Sequence, residues 1–324
     1  MHERRALRAA PVRVASTLTR GLRNALLALG CGMAASCAQP APLDPLEREL
    51  YAKALDRWLE RVVQLETIHE RMRLAGAPVC ADDLSPVLGL VVTRARELPD
   101  PLRRIGAERF GADAPPVVVA VVEGLPAAAA DIRVGDRVLR VGARQTLSTR
   151  SIYAPPTTRA PEFEVRLTRG ERTLTARVEN RSGCAYRAEL LDSDGMNAYA
   201  VERRTVLLAG MLRLLRNDSA VAFVMGHELA HHIQPSASGL RAGSRAAEVR
   251  ADYLGAYLAE RAGYRLSADD FAVVRAAYAA SGRLGDSAAT HPAYPERAVR
   301  FAQTRAEIAH KRASGEPLLP SAEP

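Results

Sequence analysis

Ser219-Ala220-Val221-Ala222-Phe223-Val224-Met225-Gly226-His227-Glu228-Leu229-Ala230-His231-His232-Ile233 decides the reading of this chain. The run is strongly apolar and long enough for about four helical turns, yet it holds two histidines and a glutamate for which an apolar helix has no packing use. A helix advances about 100° per residue, so His227 and His231, four apart, project from one face. Zinc takes neutral imidazole nitrogens at about 2.0–2.1 Å in a tetrahedral set, and a catalytic centre keeps one position for water. Glu228, one step round from His227, is placed to take a proton from that water as general base. Such a match arises by chance in a chain of this length on the order of one time in a hundred. Two satisfied core histidines are the competing reading, and unpaired charge on an apolar helix weighs against it.

Beyond His231 the chain runs His232-Ile233-Gln234-Pro235-Ser236-Ala237, without the Gly and His that a metzincin needs. The third candidate ligand is Glu248, in Ala247-Glu248-Val249-Arg250-Ala251-Asp252, because the loop from His232 to about Ser244 lets a second helix return beside the first. Asp252 lies one turn after Glu248 on the same face, placed to accept the outer ring proton of a ligand histidine. Ordinary surface acids beside Arg245 and Arg250 are the alternative for this pair. The cofactor expected is one Zn2+ per chain.

Around this centre the remaining pattern is mostly helical. Arg245–Ala262, Ala268–Ser281 and Pro295–Arg312 read as helices with Gly263 and Gly282 as stops, Asn197–Ala200 and Arg204–Leu208 as a short β pair, and Gly315–Pro324 as a disordered tail. Upstream, Leu55, Trp58, Leu59, Val62, Leu65, Ile68 and Met72 recur at steps of three and four, so Leu46–Leu74 reads as an amphipathic helix ended by Gly76 and Pro78. Between the helical parts, Leu88–Thr93, Val117–Val122, Arg137–Val141, Phe163–Leu167 and Leu174–Val178 read as strands, with Thr168–Glu171 a hairpin turn.

The first 37 residues hold six arginines against the single acid Glu3, then an apolar run of about eleven residues, Ala25–Ala35. That is the pattern of an export signal, too short for a bilayer span of about 20 residues. Its end, Ala34-Ala35-Ser36-Cys37, resembles a bacterial lipobox with Ala34 in place of the usual leucine, and so implies a lipid on Cys37. Cleavage without lipid, acylation at Cys31 and an uncleaved anchor are the other readings the stretch allows. Ala38 and Gln39 resemble outer-membrane sorting more than inner-membrane retention. The export stretch also accounts for most of the net charge of +8, and without it 39 basic residues face 36 acidic ones. With 48% hydrophobic and 25% charged residues, that near-neutral body reads as an ordinary globular protein with no nucleic-acid partner.

Only Cys80 and Cys184 remain in the body. Two thiols in an exported protein read as a disulfide, and these two bracket the β block as though pinning the ends of an inserted domain whose termini are neighbours. Two separate buried thiols are the alternative. Inside the block, Val121-Val122-Glu123-Gly124-Leu125-Pro126-Ala127-Ala128-Ala129-Ala130-Asp131-Ile132-Arg133-Val134-Gly135-Asp136-Arg137-Val138-Leu139 looks like a bacterial PDZ domain, with Asp131 where that family has Gly. Asp tolerates the left-handed backbone such a position demands. The nearest counterpart of a Gly-Leu-Gly-Phe carboxylate loop is Arg109-Phe110-Gly111-Ala112. The resemblance implies a C-terminal peptide ligand added as a strand.

The ordered set Asn197-Ala198-Tyr199-Ala200, His227-Glu228-Leu229-Ala230-His231, Glu248 to Asp252 and Thr290-His291-Pro292 followed by Arg297 resembles the HtpX and CAAX-prenyl-protease family of zinc gluzincins. It is most similar to the exported soluble branch that includes β-barrel-assembly-enhancing proteases. The similarity spans roughly Leu46–Arg312, interrupted by the PDZ-like block. It implies His227, His231 and Glu248 as ligands, Glu228 as base, Asp252 behind the ligands, and His291 as either a removable fourth ligand or a hydrogen-bond donor to the oxyanion. Arg297 would hold the His291 loop or contact substrate, and the strand at Asn197, Ala198 and Tyr199 would pair with substrate backbone.

The expected fold is α+β: a mainly helical zincin-type peptidase domain with a short β-sheet plus an inserted β-rich PDZ-like domain. Its divisions are a lipoprotein-type signal at 1–36, a linker at 37–45, the first peptidase helix at 46–79, the PDZ-like insertion at 80–184, the metallopeptidase domain at 185–314 and the tail at 315–324. The expected protein is a periplasm-facing, lipid-anchored zinc endopeptidase, in the outer rather than the inner membrane, whose partners are protein or peptide substrates. A chaperone-like lipoprotein with a latent zinc site and a non-proteolytic zinc hydrolase are the rival functions.

Overall fold

The computed structural model of the chain describes residues 42–80, 83–146, 148–152, 160–237, 244–280 and 294–321. Helix α1 (Pro45–Gly76) is started by a capping box in which the Asp44 side chain accepts the Glu47 N–H at 2.8 Å and Glu47 accepts the Asp44 N–H at 3.2 Å. Its apolar stripe serves two cores. Leu55, Trp58 and Leu59 pack against Leu98, Leu102 and Ile105, whereas Leu65, Ile68 and Met72 join the main core further down.

The β block follows. Strand β1 (Leu84–Pro86) is succeeded by β2 (Leu90–Thr93), helix α2 (Leu102–Phe110), β3 (Val117–Val121), the short helix α3 (Pro126–Ala129), β4 (Arg137–Val141), β5 (Arg144–Gln145) and α4 (Thr149–Ile152). The long hairpin β6 (Glu162–Arg169) and β7 (Arg172–Glu179) turns at Gly170-Glu171, and β8 (Ser182–Cys184) closes the block. The sheet runs β2-β3-β4-β6-β7 with β5 beside β4, so β2 and β7 are its edges. Along β6, Phe163, Val165 and Leu167 alternate inward with exposed Glu162, Glu164 and Arg166, the period-two pattern of a half-buried strand. Asp131 sits at φ +54°, the left-handed backbone that Asp tolerates, and Gly135 follows at φ +92°.

Both ends of the block return to one place. Leu84 pairs with Cys184 and Pro86 with Ser182, and Cys80 and Cys184 form a disulfide with Cα atoms 5.5 Å apart. Helix α2 was not foreseen; it leans on the N-terminal half of α1 and joins the block to it.

The helical part begins with a three-stranded sheet of order β10-β11-β9, made from β9 (Arg187–Leu191), β10 (Ala198–Val201) and β11 (Arg204–Leu208). Strand β11 runs parallel to β9 and antiparallel to β10, which makes β10 an edge. Helices α5 (Ala209–Leu214), α6 (Asp218–Ala237), α7 (Arg245–Arg261), α8 (Ala268–Ala280) and α9 (Tyr294–Ser314) complete it. Phe223, Phe271 and Phe301 meet at centroid distances of 4.9–5.7 Å and tie α6, α8 and α9 together. Gly263, at φ +95°, ends α7 where a stop was expected; Gly282 lies outside the described residues. Among the described residues no helix is long and apolar enough to cross a membrane.

The tail corrects an expectation. Gly315–Ser321 is held rather than disordered: Leu318 packs on the main core, its carbonyl accepts from Arg261 at 2.8 Å, and the Ser321 N–H donates to the Tyr253 hydroxyl at 2.8 Å. Composition marks this stretch as polar and Pro-rich, but Leu318 and these hydrogen bonds offset the ordering entropy.

Candidate metal centre

Helix α6 starts where the Asn217 side chain accepts the Ala220 N–H at 2.8 Å, and α7 where Ser244 accepts the Ala247 N–H at 3.2 Å. Side-chain oxygens at these positions satisfy N–H groups the helix itself leaves open. The second cap places Glu248 in the first turn of α7, beside α6. There His227, His231 and Glu248 converge. Their potential ligand atoms all lie within 4.8 Å of one another.

The separations test whether zinc fits. His227 Nε2 lies 3.1 Å from His231 Nε2 and 3.2 Å from Glu248 Oε2, and His231 Nε2 lies 3.5 Å from Glu248 Oε1. Ligands about 2.0–2.1 Å from a tetrahedral ion stand about 3.3 Å from each other. Each separation is close to that spacing, the two to Glu248 ending on different oxygens of its carboxylate, so the three residues fit a zinc ion.

Behind the triangle, the His227 Nδ1–H donates to Asp252 Oδ1 at 2.9 Å, which leaves Nε2 facing the triangle. Arg297 grips Asp252 with two parallel bonds, Nε to Oδ2 at 2.8 Å and Nη2 to Oδ1 at 2.7 Å. Although burial opposes charge on the His227 ring, hydrogen bonds to Asp252 and Glu248 prevail and push it up to about 10. Burial likewise opposes charge on Asp252, but Arg297, then His227, hold it down to about 2. Burial raises Glu228, and nearby Glu248 adds to that, against lowering by His227, His231 and the Ala200 N–H. A dication held by His227, His231 and Glu248 would take the place of the His227 proton.

The other expected residues divide. Ala198 and Tyr199 lie on β10, with Asn197 just before it accepting the Leu208 N–H at 3.1 Å, and β10 packs along α6. His291 lies outside the described residues, as do Thr290, Pro292, Cys37 and Cys31. Arg297 is buried against Asp252, a pairing that sequence spacing does not show because 45 residues separate them. His232 stacks on Tyr186 at 4.4 Å and bonds the Arg204 carbonyl, as a packing residue does.

In the β block the nearest-match loop at Arg109–Ala112 is displaced from its expected use. Arg109 and Phe110 end α2, Arg109 pairs with Asp56 of α1, and the next strand, β3, is interior and has no free edge for a peptide. The turn leading into edge strand β2 is instead Val87-Leu88-Gly89, with Gly89 at φ +73° and its N–H donating to Glu70 Oε2 at 3.1 Å.

A paired-histidine helix, a carboxylate from the next helix and an edge strand alongside define a candidate metallohydrolase centre. Residues 168–237 match the family model for Peptidase family M48, a span that holds His227, Glu228 and His231 and stops before Glu248. That match supports a metallopeptidase whose family is zinc-dependent. No curated protein matches the chain. Among solved structures, the chain is similar to one described as "HtrA-type protease AlgW with decapeptide", at 22% identity and TM-score 0.25, over 31% of this chain and 29% of that one. The match thus spans less than a third of that protein's length.

Proposed function

We propose that the chain is a zinc-dependent endopeptidase of the exported, gluzincin type, acting on unfolded or misassembled envelope proteins from a lipid on Cys37 at the periplasmic, preferably outer-membrane, surface. The observation that carries the catalytic part is the triangle of His227, His231 and Glu248, whose separations fit one zinc ion. Bound zinc would lower the pKa of a coordinated water and polarise a substrate carbonyl. His227, oriented by Asp252, presents Nε2 to that centre, with Arg297 fixing Asp252. Glu228 would take the proton of that water and pass it to the leaving amine, and burial, by raising its pKa, brings it closer to that double task. The edge of β10 that does not pair with β11 would supply backbone groups to hold an extended substrate beside the ligands.

In the same reading, residues 80–184 are a PDZ-like insertion in a peptidase domain formed by 46–79 and 185–314. The short helix α3, left-handed Asp131, the Gly135-Asp136 turn and β4 support it. A C-terminal peptide would join at β2 and contend with Glu70 for the Gly89 N–H. The reading is tested with Glu228→Gln, which keeps every ligand. Zinc content should stay at one per chain while degradation of an unfolded casein substrate falls by about 10²–10⁴-fold; turnover at the parent rate would discard the mechanism.

A further inference from the structure

Neither Gly226 nor Gly255 is required by its own backbone. Each lies in mid-helix and neither is among the glycines with positive φ, so helix propensity alone favours alanine at both positions. What they supply is space. A Cβ on Gly255 would lie 2.6 Å from the His227 backbone nitrogen and 2.9 Å from its Cα, and a Cβ on Gly226 would lie 2.6 Å from the Gly255 carbonyl oxygen. The helices therefore touch backbone to backbone at the first histidine. Fully buried alanines extend the contact, Ala222 and Ala230 on α6 and Ala251 and Ala259 on α7, each four residues from its glycine. Gly255 follows Asp252 by three positions and Glu248 by seven, so the contact lies on the face of α7 that carries both carboxylates.

We propose that Gly226 and Gly255 are positioning residues that set the spacing of the ligand triangle. The proposal rests on the metal-centre reading above. His227 and His231 share one helix and keep their separation whatever α7 does, whereas Glu248 and Asp252 move with α7. A Cβ at Gly255 has to withdraw by about 0.8 Å to reach ordinary contact, and the opposing atoms are backbone that cannot rotate aside. Ligand constellations have to be held within about 0.5 Å. Alanine at either glycine thus carries the carboxylates away from the imidazoles by more than the site tolerates.

The experiment uses the full chain with Gly255→Ala, Gly226→Ala and the matched control Gly183→Ala, whose Cβ would meet the Arg73 carbonyl oxygen at the same 2.6 Å in the joint between α1 and β8. Each protein is measured for the thermal transition of its metal-free form, for zinc affinity by competition with a chromophoric chelator, and for the visible spectrum of its cobalt-substituted form. The helix variants should lose about 10- to 100-fold in zinc affinity and shift the cobalt bands. Gly183→Ala should lower the transition temperature with affinity and spectrum unchanged. Should the glycine variants not fold, Ala259→Val, one turn along the same contact, should give a smaller loss in the same direction. Parental affinity and spectrum in the folded helix variants, or an equal affinity loss in Gly183→Ala, would overturn the spacer. A parent that binds no zinc would instead overturn the metal centre itself, and the spacer with it.

Discussion

Arg73, where α1 meets the β block, and Arg297, behind the metal helices, are both buried and each grips a carboxylate that in turn holds a third group. Arg73 pairs with Glu70, whose other oxygen takes the Gly89 N–H, and its remaining N–H groups go to the Cys184 carbonyl, the Ser85 hydroxyl and the Pro86 carbonyl. Arg297 pairs with Asp252, which takes the His227 Nδ1–H. From there the two arrangements part. The first ends on a backbone amide and is closed, while the second ends on an imidazole whose other nitrogen faces two further ligand atoms about 3 Å away. Buried charge by itself marks structure as readily as function. Convergence of several metal-ligating atoms on one point marks a site.

The largest effect should come from opening the closed arrangement. Arg73→Met leaves Glu70 buried without its cation and should lower the unfolding free energy by about 3–5 kcal/mol, read from urea denaturation. Adding Glu70→Leu should recover only part of the loss, because the buried charge is gone but the Gly89 N–H and the Cys184 carbonyl have lost their partners. Zinc stoichiometry of the folded fraction should not change in either variant.

On the open side the same kind of change should be read by the metal. Asp252→Asn keeps a side chain of equal size but loses the charge that orients His227, and should weaken zinc binding by about 10- to 100-fold, or about 1.4–2.7 kcal/mol. A zinc affinity within a factor of two of the parent would mean that the Arg297–Asp252–His227 line is closed and structural, like its counterpart at Glu70.

Proton competition provides a third comparison. Because the His227 pKa is raised from 6.5 to about 10 in the metal-free site, its charged form stabilises the metal-free fold below about pH 6.5, and that contribution disappears as pH climbs through 10. Zinc must displace this proton, so apparent affinity should rise with pH across the same window, by up to about tenfold per unit when one proton is released. Calorimetry in buffers of different ionisation enthalpy counts the protons. In Asp252→Asn the window should narrow toward pH 6.5.

The two regions also differ in how much of them the sequence discloses. His227, His231 and Glu228 are legible because four-residue spacing fixes direction on a helix, and the same rule places Asp252 one turn from Glu248. The distance between α6 and α7 is not legible, because it depends on two glycines 29 positions apart meeting across a tertiary contact. Helix α2 escaped notice because Leu102 and Ile105 are its only buried large apolar side chains and Arg103, Arg104 and Arg109 surround them. Strands β1 and β8 span three residues each, too few for a period to show. The Arg73 network joins residues from three segments, and nothing local to α1 identifies its partners.

A last and smaller test asks whether α7 keeps its two sides apart. On the side away from the ligands, Tyr253 and Tyr257 donate to Glu307 Oε1 at 3.0 and 2.7 Å, and Ser321 of the tail donates to the same oxygen at 2.9 Å. Burial disfavours charge on Glu307, but Lys311 and these hydroxyls hold it down to about 2. This is another closed arrangement, one residue along the chain from Asp252. Ser321→Ala removes a single donor and should cost about 0.5–1.5 kcal/mol of stability. Zinc affinity should stay at the parent value, because adjacent residues on a helix point about 100° apart and the perturbation reaches Tyr253 rather than Asp252. A measurable loss of zinc affinity in Ser321→Ala would show that the tail is coupled to the metal centre through α7 and that the closed and open arrangements on this helix are one network.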